Sequence, residues 1–330
     1  MNKFFAPTPE FSLIEKLAGA DHFSRDARAL GDDGFLFEPP AGSRWIVTTD
    51  ANVEDVHYRL DWVNAEWALR RAMLANLSDV NAMGGRSRHA FLILGARPEW
   101  REGVFEALGR TLREMETEFD LRISGGDTVS VSRSSFFAFT VLGLLEGRPL
   151  LRSACAPGHR VYVSGTLGGS AAGLRLLQEG KGRETANASD HLLVGAHLDP
   201  EPPLELGPLL SGFDKPVAAI DVSDGLSSEL WHMARQSGCS LRVEWDKIPA
   251  HPSLAASSAD HRRACALNGG EDYQLLFTGD FTAQELDRIR AVADVSEIGE
   301  VEQGAPGVFL TEDGKTSPLP AGGFSHLHPL

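Results

Sequence analysis

Apolar residues along Ala65–Met83 recur at steps of three and four, with Leu69, Met73, Leu77 and Val80 on one stripe, and this predicts a long amphipathic helix. Phe11–Ala18 repeats the spacing through Phe11, Ile14, Leu17 and Ala18, and residues 99–119 repeat it over a longer span. Between these stretches the pattern shortens into nearly continuous apolar runs, HAFLILGA at 89–96 and the segment 135–145, which read as buried strands. WIVTTD, Trp45–Asp50, reads as a strand ending in two hydroxyls and a carboxylate. Leu121–Ser124 reads as a short strand entering GGDT at Gly125.

LRSACAPGH, Leu151–His159, interrupts the alternation with Pro157 and Gly158. Beyond it come a strand from Arg160, helical segments near 187–198 and 203–211, and a strand over 217–223. A helix from Leu226 follows, then a strand at Ser240–Trp245, a helix near 282–293, and strands near 295–301 and 307–311. Alternating strands and helices on both sides of the break predict an α/β protein of two domains, residues 1–150 and 151–330.

Charge narrows the partners. The net charge is -15, and of 31 basic residues only six are lysine. Such a chain repels nucleic acid and anionic membranes, so neither is expected as a partner. Cys155, Cys239 and Cys265 show no pairing pattern and read as reduced thiols. The opening MNKFFAPTPEF has no apolar core of signal length, and FFAFTVLGLL is too short to span a bilayer. A cytoplasmic location is expected.

One construction recurs along the chain: acidic residues beside a glycine or at the end of an apolar run. It occurs at Asp32/Asp33, Asp50, Asp127, Asp221/Asp224 and Glu271/Asp272, and Asp79 adds a carboxylate on a helix. The fullest version is AIDVSDGLSSE, Ala219–Glu229. If 217–223 is a strand, Asp221 and Ser223 point to the same side. A strand-turn-helix junction with capping residues explains one such stretch equally well. Five are harder to explain as turns alone, and convergent carboxylates need counter-charge that no lysine within these motifs supplies. Mg²⁺, with its preference for carboxylate, hydroxyl and water oxygens, fits; a zinc site lacks ligand spacing. Because Mg²⁺ shares its shell with phosphates, a nucleotide enzyme is expected, although GxxxxGK[ST] is absent. The glycine run GTLGGSAAG, Gly165–Gly173, either approaches phosphate at a helix N-terminus or allows close helix–strand packing.

The ordered motifs EFSLIEKL, GDD, TTD with His57 seven residues on, NLSD–NAMG, GGDT, LRS, VSGTLGGSAAGL, DVSDGL and GGEDYQLLFT resemble the thiamine-monophosphate kinase family from about Phe11 onward. That family belongs to the ATP-binding superfamily shared with aminoimidazole ribonucleotide synthetase and selenophosphate synthetase. The resemblance implies phosphorylation of thiamine monophosphate by ATP, assisted by several Mg²⁺ ions, in a homodimer formed through the N-terminal sheet. It implies that Asp33, Thr48, Thr49, Asp50, Asp79, Asp127, Asp221 and Asp224 bind metal. Gly126, Asp127, Arg152 and Ser223 would contact ATP, and His57 and Glu271 the thiamine phosphate. An aromatic residue usual near the family's C-terminus is replaced here by Ala321 in AGGFSH, leaving Phe324 either to pack on the substrate or to join the core.

The acceptor would be a phosphate monoester, already anionic, so no residue is assigned as a general base. Direct in-line transfer is expected. Two other readings remain: an aminoimidazole ribonucleotide synthetase-like enzyme, and a protein that binds Mg-nucleotide without turnover.

Overall fold

The computed structural model describes Leu17 and residues 37–182, 184–185 and 187–324. Asp32, Asp33 and the predicted Phe11–Ala18 helix other than Leu17 lie outside the described residues. Two compact units divide the chain: residues up to Asn76 with Ser87–Leu144, and Leu77–Arg86 with Leu145 onward.

The first unit holds a four-stranded sheet made of β1 (Arg44–Val53), β2 (Arg86–Ala96), β3 (Arg122–Ser130) and β4 (Phe136–Leu145), in the order β1-β4-β2-β3. Helix α1 (Ala65–Ala82) follows β1, and α2 (Glu102–Phe119) connects β2 to its parallel neighbour β3. Strict alternation governs β4, where Phe137, Phe139 and Val141 are buried on one face and their neighbours half-buried on the other. Leu69 and Met73 of α1 are buried as their spacing predicts, and Leu108, Leu112 and Met115 are buried on α2.

Two strands run further than their apolar pattern. β1 continues to Val53, so Thr48, Thr49 and Asp50 sit mid-strand rather than at its end. β3 passes through GGDT to Ser130, so Asp127 lies on a strand and not in a turn. The ladder to β2, which pairs Ala90 through Ala96 with Ile123 through Ser130, carries the backbone past the last buried side chain.

In the second unit a mixed seven-stranded sheet has the order β11-β10-β7-β9-β5-β8-β6. Its strands are β5 (Arg160–Ser164), β6 (Ala218–Asp221), β7 (Ser240–Glu244), β8 (Leu275–Gly279), β9 (Val295–Glu302), β10 (Gly307–Glu312) and β11 (Lys315–Pro318). The helices are α3 (Gly169–Gln178), α4 (Ala188–Leu198), α5 (Leu206–Ser211), α6 (Leu226–Ser237), α7 (Ala259–Asn268) and α8 (Ala283–Arg290). One core joins β5, β6 and β7 to α6 through Val161, Val163, Ile220, Leu230 and Met233. Another gathers Tyr162, Phe213, Phe277 and Phe281, with Tyr162 stacked on Phe277.

The end of α1 belongs to this second unit for a local reason. Asn81 Oδ1 accepts the Gly207 amide at 2.8 Å, and a side chain on Gly207 would overlap the Asn81 carbonyl. Gly84, at φ 87°, then turns the chain where a Cβ would meet Ser211 at 2.8 Å. Thus the NAMGG motif seats α1 on α5. No helix among the described residues is long and apolar enough to cross a membrane.

Candidate active site

Asp221 closes β6, the edge strand of the large sheet, and is 3% exposed. Its Oδ2 accepts the Ser78 hydroxyl at 2.8 Å. Burial raises its carboxyl above the ordinary carboxylate range, against the lowering effects of the Ser78 bond and the nearby Arg152 guanidinium. A carboxylate this enclosed costs several kcal/mol, on the order of 3–5, unless a cation or hydrogen bonds compensate it.

β6 ends at Asp221, so Ser223 is not its strand neighbour, and alternation does not place the two on one side. Another ladder takes over. The Val222 amide donates to Gln274 at 2.7 Å, and Ser223 and Val222 carbonyls accept from Glu271 (2.7 Å) and Tyr273 (2.9 Å). The DVSDG and GGED turns are therefore laced together by backbone. Gly225, at φ 130°, starts α6, and a Cβ there would stand 2.9 Å from the Asn268 carbonyl carbon. Beneath the turn, buried Glu229 reaches back from the first turn of α6 and accepts the Asp224 amide at 2.9 Å. Burial pushes the Glu229 carboxyl up to about 8, with Asp221 and Asp224 adding to the rise and Arg152 opposing it. Asp221, Asp224, Glu229 and Arg152 thus form one electrostatic group within the second unit.

The C-terminal segment lies over the same turn. Phe324 donates its amide to the Asp224 carbonyl at 3.2 Å, Gly322 donates to Ser227 Oγ at 3.0 Å, and the Phe324 ring is 57% exposed. Asp79 is half-buried, one residue past Ser78, on the part of α1 that belongs to this unit.

The glycine run does not present a bare helix N-terminus. Asp272 accepts the amides of Gly168 (2.6 Å) and Ser170 (3.0 Å) and so occupies the start of α3. A Cβ at Gly168 would come within 2.7 Å of Cys265 backbone, and one at Gly173 would overlap the Leu193 carbonyl. Close packing is what these glycines serve. Burial outweighs the two amide donors and pushes Asp272 up to about 7. Between pH 4 and 7 the folded chain therefore keeps a proton that the unfolded chain has lost, so this group's contribution to stability falls as pH rises through that window. In Asp272→Asn that dependence should vanish, which urea titrations at pH 5 and 7.5 compare directly.

In the first unit the predicted residues are spread along strands. Thr48 and Asp50 share one face of β1 and Thr49 the other, and the Thr49 hydroxyl donates to the Phe139 carbonyl at 3.0 Å. Asp50 and Asp127 are exposed, each accepting the amide of its own successor. Gly126 is needed for packing, because a Cβ there would overlap the Leu92 carbonyl. His57 Nδ1 accepts the Val53 amide at 3.1 Å, which leaves the ring proton on Nε2. Among the described residues no three His, Cys, Asp or Glu side chains are grouped to hold a metal by themselves. The donors at Asp221 and Asp224 are oxygens only, a set that suits Mg²⁺ shared with phosphate.

Ser78, Glu229 and His197 escape sequence reasoning. Ser78 had one signal, its place beside Asp79 in NLSD; a Glu in a first helical turn passes as ordinary dipole compensation.

Fold and motifs together define a class. The N-terminal domain of AIR synthase related proteins matches residues 31–145, and the C-terminal domain of the same proteins matches 156–310. A thiamine-monophosphate kinase of Bacillus subtilis is 33% identical over 96% of this chain and 99% of its own length. The crystal structure of the thiamine-monophosphate kinase of Stenotrophomonas maltophilia superposes with a TM-score of 0.78 at 31% identity, covering 93% of this chain and 96% of that one. A structure of AaThiL complexed with AMPPCP and TMP superposes at 0.76 with 28% identity, covering 96% and 97%. This chain belongs to the thiamine-monophosphate kinase family.

Proposed function

We propose that the protein transfers the terminal phosphoryl group of ATP to thiamine monophosphate, giving ADP and thiamine diphosphate. The observation that carries this reading is the DVSDG turn, whose Asp221 carboxylate is held by buried Ser78 and whose Asp224 backbone is held by buried Glu229, in a chain aligned nearly end to end with a kinase of that substrate.

The first domain is assigned the Mg-nucleotide residues Asp33, Thr48, Thr49, Asp50, Gly126 and Asp127. Asp79, Arg152, Asp221, Ser223 and Asp224 are assigned to the Mg-nucleotide as well. His57, Glu271 and Phe324 are assigned to the acceptor. When bound, Mg²⁺ screens the two polyanions from each other and stabilises charge on the transferred group. The carboxylates hold that cation rather than move protons, since the acceptor oxygen is already anionic. Ser78 holds the Asp221 carboxylate and Glu229 holds the Asp224 backbone amide. A homodimer through the first sheet fits the exposed apolar side chains Val47, Ile93 and Val129 on β1, β2 and β3.

Purified protein given ATP, Mg²⁺ and thiamine monophosphate should form ADP and thiamine diphosphate in equal amounts, and lose activity to EDTA until Mg²⁺ is restored. ADP formation that ignores thiamine monophosphate would overturn the reading.

A further inference from the structure

Glu271 occupies the left-handed region at φ 64°, and Tyr273 does so at φ 50°. Such backbone costs a non-glycine residue roughly 1 kcal/mol or more, and here the bonds to Ser223 and Val222 hold it in place. The backbone at Glu271 therefore fixes where its side chain begins. A second group fixes where it ends. Oε2 of Glu271 lies 3.6 Å from Nδ1 of His197, and the Ser170 hydroxyl is 3.0 Å from the same nitrogen. His197 is 2% exposed in the last turn of α4. It sits where α4 meets α3, and Gly173 allows that approach.

Leucine would fill such a position at no desolvation cost, whereas a buried imidazole needs polar partners for its nitrogens. Ser170, itself fixed through the Asp272 cap, supplies the partner of Nδ1, and Glu271 stands beside it. The Ser170 hydroxyl holds Nδ1 at hydrogen-bond distance, and the Glu271 carboxylate faces the same edge at 3.6 Å, a polar contact longer than a hydrogen bond.

We propose that His197 is a positioning residue that aims the Glu271 carboxylate at the organic half of the acceptor. This rests on the function proposed above. Glu271 repels a phosphate monoester, so its complement in thiamine monophosphate is the thiazolium cation or the aminopyrimidine N–H groups. His197 acts on recognition of that half and leaves the phosphoryl-transfer machinery untouched.

Steady-state kinetics test the assignment. His197→Phe should raise KM for thiamine monophosphate about tenfold, with kcat and KM for ATP nearly unchanged. His197→Asn, whose amide nitrogen falls near the Nδ1 position, should recover most of the loss; His197→Gln, whose amide falls near Nε2, should not. In the Glu271→Gln background His197→Phe should add nothing, because the group it aims has gone. Equal damage to kcat and both KM values, or additive losses in the double variant, would overturn the role. Should the Phe variant fail to fold, Asn and Gln variants with equal KM would overturn it as well. A wild-type protein that makes no thiamine diphosphate would refute the function itself, a result distinct from an active wild type insensitive to His197.

Discussion

Asp224→Asn is expected to lower turnover at saturating ATP and Mg²⁺ about a hundredfold or more while leaving the fold intact. The backbone of Asp224 ties the turn together: the amide donates to Glu229 and the carbonyl accepts from Phe324. Neither bond involves the carboxylate, and asparagine preserves both. What asparagine removes is one negative charge and one strong oxygen ligand. Asp221→Asn should behave alike, since an amide oxygen still accepts the Ser78 hydroxyl and no buried charge remains to be compensated. Thermal unfolding of each variant should match or exceed the wild type in the absence of nucleotide, and a quenched assay for thiamine diphosphate should show the loss. Near-normal turnover would remove the metal-ligand role from this turn.

Gly270→Ala is expected to damage the fold and the site together. The added Cβ would overlap the Ser223 carbonyl and press on the Asp224 backbone. Ser223 O is the acceptor of the Glu271 amide, so relief requires parting the two turns along the bonds that lace them. Backbone has no alternative rotamer to adopt, and overpacking of this kind costs about 1–3 kcal/mol or more. The urea midpoint should fall, and activity should fall further than lost stability explains, because both turns carry proposed ligands. Unchanged stability and kinetics would show that the lacing is not needed.

Sequence and structure agree best where pattern is local. Leu69 and Met73 of α1 mark their buried face by spacing alone, whereas the apolar run at 135–145 marks a strand and leaves its buried face, Phe137, Phe139 and Val141, to the structure. Strand ends are less legible. Hydroxyls, glycine and aspartate end the apolar run at Thr48 and Gly125, yet hydrogen bonding from a neighbouring strand carries β3 on to Ser130. Asp221 and Asp224 stand out because carboxylates beside glycine at the end of an apolar run are conspicuous. Their supports do not, since Ser78 and Asp221 lie 143 positions apart and nothing in a helical stripe singles out a serine that will meet a distant aspartate. The same holds for His197, which looks like any residue in the last turn of α4 until Glu271 arrives beside it. GTLGGSAAG left two readings open, and Asp272 on the amides of Gly168 and Ser170 decides for packing.

The destination of the terminal phosphorus tests the central claim most directly. With ATP labelled at the γ-phosphorus, Mg²⁺ and thiamine monophosphate, the label should appear in thiamine diphosphate, one equivalent for each ADP formed. Label released as inorganic phosphate, with turnover of formylglycinamidine ribonucleotide in place of thiamine monophosphate, would contradict the account; nucleotide binding with no transfer at all would contradict it equally.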